Sequence, residues 1–261
     1  LNSIANQTYK HFELILVNDC STDNSMEIIQ QFEKNNPNIN LKIISHTQNS
    51  GQSVARNNGI KHASGKYLLF IDSDDSLMPN TLSHMVSLAE KNDLQLVIGE
   101  NYIINGDKKK YISVDFDENI ISNNTKILNY FVNNRWYNPP WNKLLRTDFV
   151  IKNNLFFKEG YIFEDELWSF ILATKIERMG VVREPLYNYY IRPNSTMTNN
   201  QHSRRWFGLL KILPFMKNHI FVNNLQKDLD VSKFFLFKLI VTLNGLKNSN
   251  AINFKIYKQM L

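Results

Sequence analysis

Short apolar runs alternate with amphipathic stretches along the first hundred residues. Residues 12–17 (Phe-Glu-Leu-Ile-Leu-Val) end in the polar cluster Asn18-Asp19-Cys20-Ser21-Thr22-Asp23, the pattern of a buried strand that opens into a loop. Residues 24–33 carry Met26, Ile28, Ile29 and Phe32 at helical spacing, with Ser21 or Asp23 as cap. A second strand is expected over 41–45, a helix over 51–63 stopped by Ser64-Gly65, and a third strand over 67–71 that runs into Asp72-Ser73-Asp74-Asp75. Pro79 opens a further helix, 81–91, and a strand follows at 94–99. Strands alternating with helices at these spacings predict a parallel sheet covered on both faces, with ligands at the carboxyl ends of its strands. Asp19 and the 72–75 acidic cluster both fall at such ends.

The pattern then changes. Residues 103–124 are irregular, and the charge run Lys108-Lys109-Lys110 beside Gly106 reads as a solvated loop. A helical period starts at Thr125 and breaks at Pro139-Pro140, ahead of Trp141-Asn142-Lys143. The acidic run Glu164-Asp165-Glu166 leads into an apolar segment at 167–174, and a strand is expected at 186–191, before Arg192-Pro193-Asn194-Ser195. Two tail helices, 204–217 and 233–246, mix aromatic and aliphatic residues with Lys and Arg. Their apolar residues nearly encircle each segment, which favours packing on the preceding half or self-association with a second subunit. An interfacial membrane patch is the alternative. The expected divisions are 1–105, 106–202 and 203–261.

Composition narrows the function classes. The chain has 261 residues, 43% of them apolar and 21% charged, enough for a sizeable core. The single cysteine, Cys20, excludes an intrachain disulfide scaffold and a cysteine-based zinc site. The histidines show no i, i+4 pair, so a histidine zinc site is not supported. No apolar run approaches the roughly 18 residues a membrane span needs, and no signal pattern opens the chain. The expected location is cytoplasmic, with peripheral contact at the inner face of the cell membrane an option for the tail. A net charge of +6 suggests a polyanionic partner: nucleic acid, anionic lipid or nucleotide phosphates.

Asp72 and Asp74 carry the first chemical signal. On a strand, residues two apart point to the same side, so both carboxylates face one ligand. Like charges placed together need a cation, and a hard divalent ion such as Mg²⁺ or Mn²⁺ supplies one while leaving sites for phosphate oxygens. A solvated acidic turn explains the same residues. Arg56, on the helix before that strand, can balance a diphosphate; a surface arginine is the plainer reading. Asp19 can accept the imide N–H of a uracil ring or simply form an Asx turn. Trp141 is either an aromatic platform facing an acceptor or part of a packed turn.

Linked over residues 1–200, the segments Glu13-Leu14-Ile15-Leu16-Val17-Asn18-Asp19-Cys20-Ser21-Thr22-Asp23, Ala55-Arg56-Asn57, Gly65-Lys66-Tyr67, Asp72-Ser73-Asp74-Asp75 and Phe163-Glu164-Asp165-Glu166-Leu167-Trp168 resemble family 2 glycosyltransferases, in particular bacterial polysaccharide and teichoic-acid members. The resemblance implies an α/β GT-A fold, a mixed sheet flanked by helices, here with a C-terminal helical extension. It also implies a nucleotide-sugar donor, usually UDP-linked, a divalent metal, Mn²⁺ or Mg²⁺, and inversion at the anomeric carbon. The acceptor would be a hydroxyl of a cell-surface glycan, a teichoic acid or a lipid-linked saccharide, so nucleic acid drops out as a partner. By the same resemblance Asp19 contacts the base, Arg56 lies near the nucleotide and its phosphates, Asp74 is the direct metal ligand and Asp72 lies nearer the ribose. Asp165 is the general base and Glu164 holds the acceptor. Arg192 and Ser195 match a segment that closes over the diphosphate. Cys20 stands where relatives usually have glycine. Relatives also begin with a strand ending in a Pro-x-Tyr-Asn-like motif, so a chain truncated before Leu1 is expected. The competing classes are a non-catalytic or truncated glycan- or nucleotide-binding module and, with no Gly-rich triphosphate loop visible, a sugar nucleotidyltransferase.

Overall fold

The apolar run after Phe12 forms strand β1 (Glu13–Asn18), which pairs in parallel with β2 (Asn40–Ser45) across helix α2 (Ser25–Asn35). The computed structural model describes residues 1–192 and 202–249. A single turn, α1 (Asn2–Ala5), precedes β1 and buries Ile4 beside Leu14, Phe32, Leu77 and Trp141. After β2 come α3 (Gln52–His62), the short strands β3 (Tyr67–Leu69) and β4 (Ser76–Leu77), α4 (Thr81–Asn92) and the long strand β5 (Leu96–Asn105). The second half supplies β6 (Lys108–Ile112), β7 (Ile120–Ile121), α5 (Asn124–Val132), β8 (Lys143–Arg146), α6 (Thr147–Lys152), α7 (Glu164–Ala173) and β9 (Met179–Tyr190). Helices α8 (His202–Val222) and α9 (Leu229–Asn248) follow.

The single parallel sheet expected from strand–helix alternation does not form. Among the described residues β1 and β2 make a sheet of their own, and the other strands make a seven-stranded mixed sheet of order β3-β8-β5-β9-β4, with β6 on β5 and β7 on β9. β8 inserts between β3 and β5, antiparallel to both, whereas β5 and β9 run parallel. Apolar runs report burial but not strand direction, which long-range pairing decides. The mixed sheet draws β3, β4 and β5 from the first half of the chain and β8 and β9 from the second. β5 is its centre, with Leu96, Val97, Ile98, Glu100 and Asn101 all buried. Its pairing with β9 shifts register around Gly99 and Glu100. A Cβ at Gly99 would stand 2.9 Å from Leu186 Cδ1, so glycine permits this close approach.

The lysine run is not a loop. β5 turns at Gly106, φ +57°, into β6, where Lys108, Lys109 and Lys110 are exposed, and Lys109 Nζ sits 3.7 Å above the Tyr102 ring. Charged side chains on an edge strand discourage further pairing.

The tail helices pack through only part of their apolar girth, and Phe221 of α8 and Leu236, Phe237 and Ile240 of α9 stay exposed. Ile212, Met216 and Ile220 of α8 and Val231 and Phe234 of α9 join Ile127 and Phe131 of α5 and Phe170 and Leu172 of α7 in one core. Each such side chain contributes roughly 1.5–3 kcal/mol on burial. Asp228 caps α9, its side chain accepting from the Asp230 and Val231 amides. Gly245 faces Trp206 so closely that a Cβ would lie 2.1 Å from the indole. Among the described residues no helix is long and apolar enough to cross a membrane.

Candidate active site

Helix α3 organises the site. Residues 52 and 56 are four apart and share one face. Gln52 Nε2 donates to Glu164 Oε1 at 2.7 Å and Arg56 Nη1 donates to the same oxygen at 2.8 Å. The other arm of Arg56, Nη2, donates to Asp72 Oδ1 at 2.9 Å. The guanidinium also lies 5.3 Å from the Phe157 ring centroid. Arg56 therefore ties the acidic turn after β3 to the acidic start of α7. Both ends of its fork are engaged on carboxylates, so its charge offsets Asp72 and Glu164 in the first place. Next to it, Asn57 Nδ2 donates to the Phe157 carbonyl and to Glu159, holding the segment before α7 in place.

Asp19 lies just beyond β1. Its Oδ1 meets His46 Nδ1 at 2.7 Å and accepts from the Ser50 amide at 2.8 Å, and its Oδ2 accepts from the Gly51 amide at 2.6 Å. Burial pushes the carboxyl up, but the hydrogen bonds from His46, Ser50 and Gly51 outweigh it and hold the group below its ordinary value. The other imidazole nitrogen of His46 meets Asn58 of α3 at 2.7 Å. Asp19 thus organises the 46–51 loop and keeps acceptor capacity on Oδ2. Cys20 next to it has φ +60°; a left-handed residue here favours glycine, which is why a glycine would suit this position.

The carboxylates at 72 and 74 do not sit on a strand. β3 ends at Leu69, and residues 72–75 form a turn in which the Asp75 amide donates to the Asp72 carbonyl at 3.1 Å. Same-side strand geometry therefore does not apply to the pair. Asp72 and Asp74 are partly exposed, whereas Asp75 is turned inward and accepts from Tyr187 Oη at 2.7 Å and the Tyr190 amide at 2.9 Å. Burial pushes Asp75 up to about 6, with Asp74 and Asp72 adding repulsion against the two hydrogen bonds. Arg192 reaches this turn: Nη2 donates to the Asp74 carbonyl at 2.9 Å and Nε lies 3.9 Å from its carboxylate. Ser195 lies outside the described residues.

Among the described residues, no group of three or more His, Cys, Asp or Glu is gathered to hold a metal ion. The oxygen donors at Asp72 and Asp74 fit a hard divalent ion that takes one or two carboxylates from the protein and the rest of its shell from phosphate and water.

α7 begins abruptly. Phe163, the residue before it, has φ +62°, a strained conformation of the kind held at functional sites. It aims Glu164 inward: the side chain is 1% exposed, and Oε2 has no hydrogen-bond partner. Asp165 accepts from the Glu166 amide at 3.1 Å. Its carboxyl is pushed up to about 7 by burial first, then by Glu164 and Glu166, against Arg56 and the Glu166 amide. Tyr137, 36% exposed, is raised by burial and by the nearby Asp165 charge.

Trp141 does not serve as an acceptor platform. It is 3% exposed, stacked on Tyr187 at 4.3 Å and Tyr189 at 5.7 Å, with Tyr137 at its edge. Two stacked tyrosines take the faces a sugar would need, so the packed-turn reading holds. The exposed ring of that cluster is Tyr137.

His46, Gln52, Asp75 and Tyr137 are the site residues that sequence reasoning missed. Gln52 was findable, four residues before Arg56, and His46 follows the carboxyl end of β2. Nothing local marks Asp75 apart from its acidic neighbours; its partner Tyr187 lies far along the chain.

Residues 1–153, more than half of the chain, match the sequence profile described as Glycosyl transferase family 2. The chain belongs to glycosyl transferase family 2. This family 2 chain is 27% identical over 235 residues to the uncharacterized glycosyltransferase YibD of Escherichia coli K12, covering 88% of the chain and 66% of YibD. It is 28% identical over 227 residues to the minor teichoic acid biosynthesis protein GgaB of Bacillus subtilis 168, covering 84% of the chain and 24% of GgaB. It therefore spans just under two thirds of YibD and about a quarter of GgaB. Its fold is that of S. aureus TarS, residues 1–349, solved in complex with UDP-GlcNAc. The TM-score is 0.66 at 21% identity, over 96% of this chain and 78% of that one. The mixed sheet with flanking helices is thus the GT-A fold.

Proposed function

We propose that this family 2 chain transfers a sugar, with inversion, from a UDP-linked donor to a hydroxyl of a cell-envelope glycan, teichoic acid or lipid-linked acceptor. The Arg56 bridge carries the reading: it holds the donor-side turn and the acceptor-side helix together, with Asp165 beside Glu164. The UDP-GlcNAc complex of TarS and the teichoic acid role in GgaB's name support the donor and acceptor classes.

The chemistry is a single in-line displacement. Asp165 takes the proton of the acceptor hydroxyl as its oxygen attacks the anomeric carbon and the bond to the diphosphate breaks on the opposite face. A base raised to about 7 is both partly ionised and strongly basic near neutral pH. Glu164, held by Gln52 and Arg56, is the companion of Asp165 on the acceptor side. Asp19 with the 46–51 loop forms the base end of the donor pocket, and Arg192 with the 72–75 turn forms the diphosphate end. A divalent ion held by Asp74, with Asp72 beside it, would neutralise the departing diphosphate.

Asp165→Asn tests the assignment. UDP release would be followed with a panel of UDP-sugars and envelope glycans, and UDP binding by calorimetry. Transfer should fall by about 10²–10⁴-fold with UDP binding retained. In the wild type the rate should fall as pH drops through about 7, because the protonated carboxyl cannot accept the hydroxyl proton. Normal transfer by Asp165→Asn would overturn the base assignment.

A further inference from the structure

The end of β9 anchors the 72–75 turn. β4 pairs antiparallel with β9, Ser76 opposite Asn188 and Leu77 opposite Tyr187, and Tyr187 reaches back to the turn just ahead of β4. The tyrosine is 1% exposed, its ring stacked on Trp141. Its hydroxyl has two partners at the turn: it donates to Asp75 Oδ2 at 2.7 Å and accepts from the Asp72 amide at 3.2 Å. The other Asp75 oxygen, Oδ1, accepts from the Tyr190 amide at 2.9 Å. One buried hydroxyl thus joins both ends of a turn whose three carboxylates repel one another. Arg56 and Arg192 also reach the turn, through the Asp72 carboxylate and the Asp74 carbonyl. An incoming diphosphate competes for both guanidinium groups, whereas the buried tyrosine hydroxyl keeps its partners.

We propose that Tyr187 is a positioning residue for donor binding: its hydroxyl fixes residues 72–75 with Asp75 turned inward, leaving the partly exposed Asp72 and Asp74 carboxylates to the divalent ion and the diphosphate. This rests on the reading of that turn as the metal and diphosphate end of the site. A turn fixed in advance has less conformational freedom to lose when the ion and the diphosphate bind. Groups that hold a metal site from behind are typically worth about 10–100-fold in metal affinity. Asn188 and Tyr190 extend the same anchorage by one residue: Asn188 Nδ2 donates to Ser76 Oγ at 3.1 Å, and the Tyr190 hydroxyl lies 3.3 Å from that oxygen. The acidic turn therefore takes its shape from a strand more than a hundred residues later in the chain.

Tyr187→Phe keeps the ring against Trp141 and removes only the hydroxyl. Asp75→Asn, which keeps an acceptor for the Tyr190 amide, covers the case in which the first variant fails to fold. In the ligand-free protein, hydrogen exchange at the Asp72 amide should quicken by about tenfold in Tyr187→Phe, the loss of one hydrogen bond. Unchanged exchange there overturns the anchorage. Mn²⁺ affinity in the presence of UDP, read by electron paramagnetic resonance, and UDP affinity by calorimetry should each fall by about 10–100-fold in either variant. Uridine, which lacks the diphosphate, should bind as it does to the wild type, because the Asp19 end of the pocket is untouched. Wild-type Mn²⁺ and UDP affinities in both variants overturn the positioning role, and so does an equal loss for uridine, the mark of a general loss of structure. A wild type whose UDP affinity ignores Mn²⁺ would sink the reading of the turn as a cation site, while metal-free UDP against uridine would still decide the role of Tyr187.

Discussion

Replacing Arg56 with methionine should strand the buried Glu164 carboxylate. The methionine preserves much of the apolar stem over Phe157 but removes both arms of the fork. Glu164 is 1% exposed and would keep only the Gln52 hydrogen bond, while Asp72, 32% exposed, would be rescued by water. Removing one partner of a buried pair costs about 3–5 kcal/mol, and the exposed arm adds at most about 1 kcal/mol. With the Gln52 contact retained, a net loss of about 3 kcal/mol is expected, equivalent to a fall in Tm of roughly 6–12 °C for a domain of this size. Chemical denaturation would measure it in a cycle of Arg56→Met, Glu164→Gln and the double variant. If the cost is a stranded charge, the double variant should recover most of the loss, because an amide at 164 needs no counter-ion. A double variant as unstable as Arg56→Met, or an Arg56→Met cost below about 1 kcal/mol, would refute the stranded-charge argument.

Three further outcomes follow from particular contacts. Cys20→Gly should stabilise the fold by about 0.5–1 kcal/mol in denaturant titrations, since relief of a left-handed side chain at φ +60° exceeds glycine's extra chain entropy. Gly208→Val should destabilise the protein by about 1–3 kcal/mol and depress transfer, because even a Cβ there would lie 2.4 Å from Ile162 and 3.1 Å from Phe163, just ahead of Glu164; adding Ile162→Ala should restore part of both. His219, bonded to Thr174 at 2.9 Å, is lowered from 6.5 to about 4 by burial and then by Lys175. The unfolded chain therefore binds the proton first, so stability should decline as pH falls from about 6.5 toward about 4, and His219→Gln should flatten that decline in a Tm-against-pH series.

Local pattern determined a good deal of this protein. The apolar run of β1, the helical spacing of Met26, Ile29 and Phe32, and the packed side of the tail helices each reflect how much of a side chain must leave water, a property written residue by residue. The acidic and basic motifs were legible for the same reason: Asp72, Asp74, Glu164 and Asp165 stand out as charges at or just beyond element ends, and Arg56 as a charge within α3. Pairing decided the rest. Strand direction in the mixed sheet depends on β8 arriving between β3 and β5 from far along the chain, and no local period encodes that arrival. The same holds within the site. Trp141 lost its proposed place at the surface because Tyr187 and Tyr189, on β9, cover its faces. Asp75 became the inward member of its cluster because Tyr187 and Tyr190 meet it. Arg56 meets Glu164 across a sequence separation of 108 residues, a contact that exists only once α3 and α7 are packed together. A charge is visible in a sequence, but its partner, and therefore its free energy, is a property of the folded chain.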